Sequence, residues 1–519
     1  MRHLLRPTIS AAIIATGLAI AACSGSAQAP TTPSAGSPTT APSTKPTSTP
    51  TSPPNPTPTP APTATATAST GYTPDDWPLF DHDSARSGVS NEVTGTQGSI
   101  TLTKLWQVSL GDIADSGPII KGSMLYVTVH NGTTYGIATS TGSKVWTFTT
   151  SGPNITTSEP AYDVSGNELY AGGVDGKVHQ LNPVTGVENT ANGFPVLVTL
   201  APQTEKDASP LNVANGYVYA QTSAYDGDGT PYVGHVVAIS TTTGQSHVFN
   251  TLCSSMTGLI QPSTCSQNRS GMWSRAGVVV DPDSAMDGEI YVATGNGTSD
   301  PGSGDYGDSV LGLAHDASAL IASFAPSNAA MLDADDLDLG SSSPALIPRQ
   351  SSSLTPLMAV SAGKDGTLRL LNRASLGGAA LQTIALSAGL FSAPAVYASP
   401  SGQTYVYVGL PSGVTAYTVT TTSGVTQLIA AWTASVPLGG EGTSPAVRNG
   451  IVYVAASNEL VALNATTGAT IASNASLGGV HWEAPSISNG VVYCADENHN
   501  LTAFAIVPQS SGSAGRRRP

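Results

Sequence analysis

A pattern of paired apolar segments recurs along the chain from residue 115 onward. Each copy opens with a small residue, usually followed by Pro, runs into an apolar strand, turns at Gly or Asn, and returns as a second strand that carries Tyr in most copies. Alternating apolar positions bounded by glycine turns are typical of β-strands, so the pattern predicts an all-β array. The eight copies open at Gly117, Glu159, Ser209, Arg275, Ser343, Ala393, Ser444 and Ala484.

The spacing of these copies predicts the architecture. A period of 40–50 residues with four strands in each unit is typical of β-propeller blades, and eight copies predict eight blades. The last copy ends near Ile506 without a fourth strand. The segment 104–108, Lys-Leu-Trp-Gln-Val, is an unpaired strand of the right type, so we expect it to close the ring and leave no free edge.

The two ends of the chain have a different composition. Residues 1–22 combine a basic start with a short apolar stretch, as in a signal peptide, and residues 23–70 are rich in Pro, Thr and Ser, which predicts a disordered stalk. The segment Ile20-Ala21-Ala22-Cys23 resembles a bacterial lipobox, which implies lipidation of Cys23 and anchoring of an exported protein to the membrane. The alternative is an ordinary signal peptide cut near Ala29. Residues 71–508 are the folded domain, and residues 509–519 are a disordered tail.

Charge excludes one class of partner. The chain has a net charge of −15, and residues 71–508 hold all 34 acidic residues but only thirteen of the 19 basic ones. Nucleic-acid binding requires a basic surface, and this domain is strongly acidic. We therefore expect no nucleic-acid partner.

The repeat also resembles a known family. The unit Leu-Tyr, then Gly, Ala and Thr-Gly, then Trp four residues later resembles the pyrroloquinoline-quinone (PQQ) repeat of the quinoprotein alcohol dehydrogenase-like superfamily. Residues 76–83, Asp-Trp-Pro-Leu-Phe-Asp-His-Asp, resemble the entry segment of such propellers. The resemblance covers residues 74–507 and implies an eight-bladed propeller. It does not fix the activity, because non-enzymes such as the lipoprotein BamB share the repeat.

The resemblance implies candidate site residues in the fourth and fifth blades. Trp273 matches the aromatic floor beneath PQQ, and Asn296 matches a Ca²⁺ ligand. Asp338 falls where the enzymes place the catalytic carboxylate, which acts as a general base and lies beside the metal. Lys364 and Arg275 would supply positive charge near the cofactor.

The chain also departs from the dehydrogenase pattern. It has no adjacent cysteine pair, no Cys-x-x-Cys-His motif, and only aspartates at 226 and 228 where the third blade should supply a glutamate. These departures favour a non-catalytic binding or scaffold module. The alternative is a PQQ- and Ca²⁺-dependent dehydrogenase of alcohols or sugars. A carbohydrate-binding or carbohydrate-hydrolysing propeller would need a carboxylate pair flanked by exposed aromatic residues.

The residues just before each first strand should lie at one mouth of the central channel. Acidic residues dominate there, which predicts a mouth that binds Ca²⁺, a cationic small molecule or a protein partner. The acidic candidates for this ligand site are Asp115, Glu159, Asp207, Glu441 and Glu483.

The positions of the remaining cysteines predict one disulfide and one free thiol. Cys253 and Cys265 are twelve residues apart in one long loop of an exported protein, so we expect a disulfide between them. Cys494 lies in an apolar strand and is expected to be a buried free thiol.

Overall fold

The protein forms an eight-bladed β-propeller, as the repeat predicted. This computed structural model describes residues 75–92, 99–115, 117–225, 227–229 and 231–509. The predicted signal peptide, Cys23, the stalk and residues 510–519 lie outside these ranges. Within the described part of the chain, no helix has both the length and the hydropathy needed to span a bilayer.

The first four blades follow one another along the chain, and each is numbered in chain order. An additional hairpin, Ser299–Asp300 with Asp305–Tyr306, is inserted in blade 4. The strands are Ile119–Lys121, Met124–Thr128, Thr133–Ala138 and Lys144–Thr149 (blade 1); Ala161–Asp163, Glu168–Gly172, Lys177–Leu181 and Val196–Leu197 (blade 2); Glu205–Asp207, Asn212–Ala214, Tyr217–Ala224, His235–Ser240 and Ser246–Asn250 (blade 3); and Val279–Val280, Ile290–Ala293, Val310–Leu313 and Leu320–Phe324 (blade 4).

Blades 5 to 8 complete the ring. An α-helix, Ala329–Asp335, precedes blade 5, and 3₁₀ turns lie at Pro262–Thr264, Ser284–Met286 and Leu339–Ser341. The strands are Ala345–Ile347, Met358–Ser361, Thr367–Asn372 and Gln382–Ala385 (blade 5); Ala395–Ala398, Thr404–Leu410, Gly413–Thr422 and Val425–Ala434 (blade 6); Val89–Ser90, Ala446–Arg448, Ile451–Ala456, Glu459–Asn464 and Thr470–Asn474 (blade 7); and Ser486–Ser488, Val491–Asp496, Asn500–Pro508 and Ile100–Ser109 (blade 8).

The ring closes through the strand that the sequence predicted. Ile100–Ser109 pairs antiparallel with Asn500–Pro508, so the first long strand of the chain becomes the outermost strand of the last blade. A register shift between Lys104 and Trp106 bends this strand. The pairing joins the two ends of the domain and removes the free edge that an open ring would have.

The Thr-Gly turn and the Trp of the repeat contact each other between blades. Trp146 of blade 1 covers Gly186 of blade 2, where a Cβ atom would lie 2.4 Å from the indole ring. The backbone of Gly186 also has a positive φ of 69°, which a side chain would strain. Trp106 on Gly142 and Trp432 on Gly468 repeat the contact. The motif therefore encodes the docking of one blade on the next.

The innermost strands surround a channel, and residues 75–92 cross one end of it. The segment exchanges backbone hydrogen bonds with Ile120 of blade 1 through Trp77, and its backbone oxygens accept from Tyr162, Val280, Val396 and Val447. These residues belong to the innermost strands of blades 2, 4, 6 and 7. The chain thus closes this end of the channel with its own N-terminal segment; we call it the closed end.

Buried side chains fix this segment in place. Phe80 is buried against Ala276, Ala393 and Ala484, which precede the innermost strands of three different blades. Arg86 is 2% exposed and donates to the carbonyl oxygens of Phe80 and Leu211 at 2.7 and 2.8 Å. The segment is therefore packed and hydrogen-bonded as core structure.

Candidate functional site

The opposite end of the channel is open and holds a pocket; we call it the open end. The pocket has a volume of about 310 Å³ and is bordered by loops from blades 2 to 8. Its charged lining residues are Lys206, Asp228, Arg275, Asp336, Asp338, Lys364 and Glu441. Its aromatic lining residues are Tyr225, Tyr232, Trp273, Phe391 and Trp482. The pocket combines aromatic walls with polar groups, as ligand sites commonly do.

Trp273 lies in the centre of the pocket wall. It precedes the innermost strand of blade 4, and its ring centroid lies 6.0 Å from Phe391 and 6.4 Å from Trp482. The ammonium of Lys364 lies 5.2 Å from the centre of the Trp273 ring. The chain's own cation therefore lies over this aromatic ring.

Lys364 is bound by two carboxylates of blade 5. Its Nζ atom lies 2.6 Å from Asp338 and 3.0 Å from Asp336. Burial alone would lower the pKa of Lys364, but the charge of Asp338 and the hydrogen bonds outweigh burial and raise it. Burial raises the pKa of Asp338 despite the attraction of Lys364. The ammonium thus stays charged and tied to its partners.

The helix Ala329–Asp335 ends at this cluster, and glycine allows its close packing. The helix is followed by Asp336 in the left-handed conformation, which turns the chain toward Asp338. A Cβ atom on Gly295 would lie 2.4 Å from the Asp338 carboxylate. The Thr294-Gly295-Asn296-Gly297 turn therefore needs glycine so that Asp338 can approach.

Asn296 links three carboxylates. Its backbone N–H donates to Asp338 at 2.7 Å, and its side-chain N–H₂ donates to Asp336 at 2.7 Å and to Asp228 at 3.0 Å. Its side-chain oxygen is buried and has no hydrogen-bond partner among the described residues. The structure thus brings together Asn296 and Asp338, as the resemblance implied, through donor groups of the asparagine.

The predicted calcium and quinone sites can be tested against this geometry. No group of three or more His, Cys, Asp or Glu side chains within the described ranges is placed to hold a metal ion. Asn296 presents its nitrogen, not its oxygen, to the carboxylates, and Lys364 lies where a cation between Asp336 and Asp338 would lie. Lys364 also lies over the Trp273 ring on which a quinone would stack. In this arrangement, the residues do not fit a calcium ion together with a quinone stacked on Trp273.

Arg275 lines the pocket and is almost completely buried. It is 3% exposed, and its guanidinium lies 4.3 Å from the centre of the Trp482 ring and 3.9 Å from Asp115. Burial lowers its pKa, while the charges of Asp115, Glu159, Glu441 and Glu483 oppose that shift. Its Nε and Nη1 atoms are buried without a hydrogen-bond partner in the described part of the chain.

The predicted acidic mouth needs correction. Glu441 lines the pocket, but Asp115, Glu159, Asp207 and Glu483 are buried, with exposures of 7%, 1%, 0% and 0%. Asp115, Glu159 and Glu483 also lie in the electrostatic field of the buried Arg275. The position of these acidic residues before the first strands indicated that they line the channel. It did not indicate how deeply their side chains are buried.

Burial also changes the charge of these acids. It raises the pKa of Asp207 to about 7 and that of Glu483 to about 8, and it raises the pKa of Glu159 well above its usual range. Asp115 differs, because a hydrogen bond with His130 and the charge of Arg275 outweigh burial and lower its pKa. The channel is therefore less negative than its composition predicts.

Trp482 is held on both sides. Its ring stacks on His481, with the centroids 4.1 Å apart, and Arg275 also lies against it. Its Nε1–H donates to Glu441 at 2.9 Å. Trp482 thus forms a fixed wall of the pocket.

Sequence reasoning did not single out Phe391, Asp336 or Tyr232 for the site. Phe391 precedes a first strand, and that position could have indicated it.

The cysteines are placed as predicted. Cys253 and Cys265 form a disulfide, with the sulfur atoms 2.02 Å apart, and the loop packs on Val233, Leu252 and Ile260. Cys494 is a buried free thiol.

Fold and repeat together define an eight-bladed propeller of PQQ-type repeats. The family model that matches the chain is PQQ_2, described as outer membrane protein assembly factor BamB, and the match covers residues 95–265 and 400–508. The chain belongs to this family. No curated protein gives a significant match to the sequence.

Solved structures show the same fold at low sequence identity. The quinohemoprotein alcohol dehydrogenase ADHIIG of Pseudomonas putida HK5 matches with a TM-score of 0.58 and 13% identity, covering 86% of this chain and 82% of the other. The quinohemoprotein alcohol dehydrogenase of Comamonas testosteroni gives 0.57 and 16%, covering 86% and 82%. BamB of Moraxella catarrhalis gives 0.51 and 13%, covering 80% and 99%. At these identities the likeness establishes the fold alone.

Proposed function

We propose that this protein is an exported lipoprotein, anchored through Cys23, whose propeller is a non-catalytic binding module with its ligand site in the open-end pocket. The ligand is a small molecule or a group on a protein partner. The family description, an assembly factor, supports a protein partner in general terms. The closed end leaves the pocket as the accessible part of the channel.

The observation that carries this proposal is the mutual binding of the pocket's polar groups. A general base needs a carboxylate that is available to accept a proton from the substrate. Asp338 is instead held by Lys364 at 2.6 Å and by the Asn296 N–H at 2.7 Å. Such a network suits recognition by a rigid surface better than proton transfer.

A cofactor titration tests the absence of catalysis. The full-length protein is titrated with PQQ, with and without Ca²⁺, while Trp fluorescence and the quinone absorption are recorded. We expect no saturable binding at ligand far above micromolar concentration. Trp273→Phe removes one of the two pocket tryptophans, and Trp432→Phe, at the contact between blades 6 and 7, is the matched control. Calcium-dependent binding that is lost only in Trp273→Phe would overturn the proposal.

Phase partitioning tests the anchor. The parent and Cys23→Ser are expressed in a bacterium that processes lipoproteins, and each is partitioned with a detergent that separates into two phases. The parent should enter the detergent phase, because several acyl chains anchor stably, and Cys23→Ser should stay in the aqueous phase. A parent that stays in the aqueous phase supports an ordinary signal peptide.

A PQQ-dependent dehydrogenase is the second candidate. One observation favours it: Trp273, Asp338 and Lys364 line a single pocket, and Asn296 is bonded to Asp338 beside it. The cofactor titration separates the two candidates, since only the dehydrogenase requires PQQ and calcium.

A further inference from the structure

We infer that the open-end pocket takes a small uncharged ligand rich in hydroxyl groups, of the monosaccharide class. The inference rests on the proposed binding function and specifies its ligand. The volume of about 310 Å³ lies near the lower limit for small-molecule sites. The pocket is therefore suited to a compact ligand.

Two cations of the pocket, Lys364 and Arg275, already have carboxylate partners. Lys364 is bound to Asp336 and Asp338, and Arg275 lies beside Asp115. A charged ligand would lose its hydration and would have to displace one of these bonds to gain a counter-charge. An uncharged ligand leaves every pair intact, so the pairing favours a neutral ligand over a cation or an anion.

Donors and acceptors alternate around the pocket at hydrogen-bond distance. Lys364 adjoins Asp338 at 2.6 Å, and the Tyr232 hydroxyl adjoins Asp228 at 2.7 Å. The Trp482 N–H adjoins Glu441 at 2.9 Å in the same way. Lys364 keeps a third N–H, and the Tyr232 and Glu441 oxygens keep lone pairs that can still accept. A hydroxyl group both donates and accepts, so it can bind beside these pairs without breaking them. Vicinal hydroxyl groups therefore match this lining better than groups that only donate or only accept.

Buried polar atoms next to the pocket lack hydrogen-bond partners. The Arg275 Nε and Nη1 atoms have none among the described residues, and Arg275 is 3% exposed and lines the pocket. A buried donor without a partner is costly, and a hydroxyl oxygen can accept from it without bringing charge. This observation adds to the preference for a polar, uncharged ligand.

The aromatic walls also fit this class. Phe391 gives the pocket an apolar side against which the C–H groups of a sugar ring can pack. A cationic ligand of the aromatic-cage type would need free ring faces. Here Lys364 lies over Trp273, and Arg275 and His481 lie against Trp482.

Matched sugars that differ only in charge test the inference. The probes are glucose, galactose and mannose, each compared with its amino sugar and its uronic acid, and binding to the full-length protein is measured by calorimetry and Trp fluorescence. We expect at least one neutral sugar to bind about tenfold or more tightly than both of its charged analogues. Lys364→Met should abolish that binding, and Glu441→Gln, at a half-exposed position, should weaken it several-fold.

Lys121→Met is the matched control, because Lys121 forms an ion pair with Asp76 at 2.7 Å beside the closed end. It should bind sugar as the parent does. A charged analogue that binds more tightly than its neutral parent, with the same dependence on Lys364, overturns the ligand class and leaves the binding function standing. Binding of none of the nine sugars by the folded parent also overturns the inference. The binding function itself fails on a different result, calcium-dependent binding of PQQ.

Discussion

The two ends of the channel are built from different interactions. At the closed end, residues 75–92 satisfy the inner strands with backbone hydrogen bonds and fill the axis with Phe80. At the open end, the side chains of Lys364 and Asp338 bind each other beside an accessible pocket, and Asn296 donates to Asp338. The difference shows that closure is a matter of backbone and core packing, whereas the pocket is built from polar side chains.

Between the two ends, the channel holds acids whose pKa values are raised by burial. Asp207 and Glu483 have raised pKa values of about 7 and about 8. Nearer the closed end, Arg86 lies in the field of Asp81 and Glu159. The two ends are therefore separated by a section whose charge depends on pH.

Removal of the Phe80 side chain should have the largest effect on stability of the changes considered at the two ends. Phe80→Ala leaves a cavity at the centre of the closed end, and we expect the free energy of unfolding to fall by about 3–5 kcal/mol. Urea unfolding followed by circular dichroism measures the change. Leu354→Ala, at a position that is 85% exposed, is the control and should change stability by less than about 0.5 kcal/mol. Equal effects of the two variants would show that the segment does not pack as core.

The Asp207 carboxyl should make stability depend on pH. Burial raises its pKa from 3.8 to about 7, so the folded protein binds the proton more tightly than the unfolded chain. The stabilisation is complete below pH 3.8 and is lost as pH rises toward 7 and above, by up to about 1.4 kcal/mol per pH unit. Asp207→Asn removes this loss, so its stability relative to the parent should increase between pH 4 and 7. A pH-independent difference in urea unfolding would refute the raised pKa.

His82, at the closed end, should also make stability depend on pH, over a higher pH range than Asp207. Burial would lower its pKa, but Asp75 at 2.9 Å and Asp83 at 3.6 Å outweigh burial and raise it to about 9. Its stabilisation is complete below pH 6.5 and is lost as pH rises through about 9, again by up to about 1.4 kcal/mol per unit. The unfolding free energies of the parent and His82→Gln should therefore converge from pH 6.5 to 9. Histidine NMR provides the direct check on the pKa.

Glu441→Gln at the open end should have the smallest effect on stability. The side chain is 39% exposed, and exposed polar contacts contribute little to folding. We expect a change of less than about 0.5 kcal/mol in urea unfolding. A loss of several kcal/mol would mean that the open end, like the closed end, supports the fold.

Much of this architecture could be predicted from sequence because the repeat is itself a packing device. The Trp and Thr-Gly positions dock neighbouring blades, so their spacing encodes the number and order of the blades. The closing strand 100–109 could be predicted because the last copy lacked a partner. The crossing of the channel by residues 75–92 could not, since a unique segment has no repeat to reveal its contacts.

The sequence could indicate which residues lie in the pocket, but not which partners their side chains bind. The sequence indicated Trp273, Asp338 and Lys364, and these residues line one pocket. Which partners they bind depends on loop paths from blades 3 and 5, such as the turn that brings Asp336 to Lys364. The burial of Glu159 and Asp207 likewise depends on how the blades pack around them, which charge patterns along a sequence do not encode.

Hydrogen exchange of the full-length protein tests the difference between the ends most directly. The amides of Val280, Val396 and Val447 bond to residues 84, 87 and 88. If the segment is core structure, these amides exchange only on global unfolding, whereas amides in the open-end loop 227–229 exchange many orders of magnitude faster. Exchange at Val280, Val396 and Val447 as fast as in that loop would show that the channel is open at both ends and would contradict the assignment of a single ligand site.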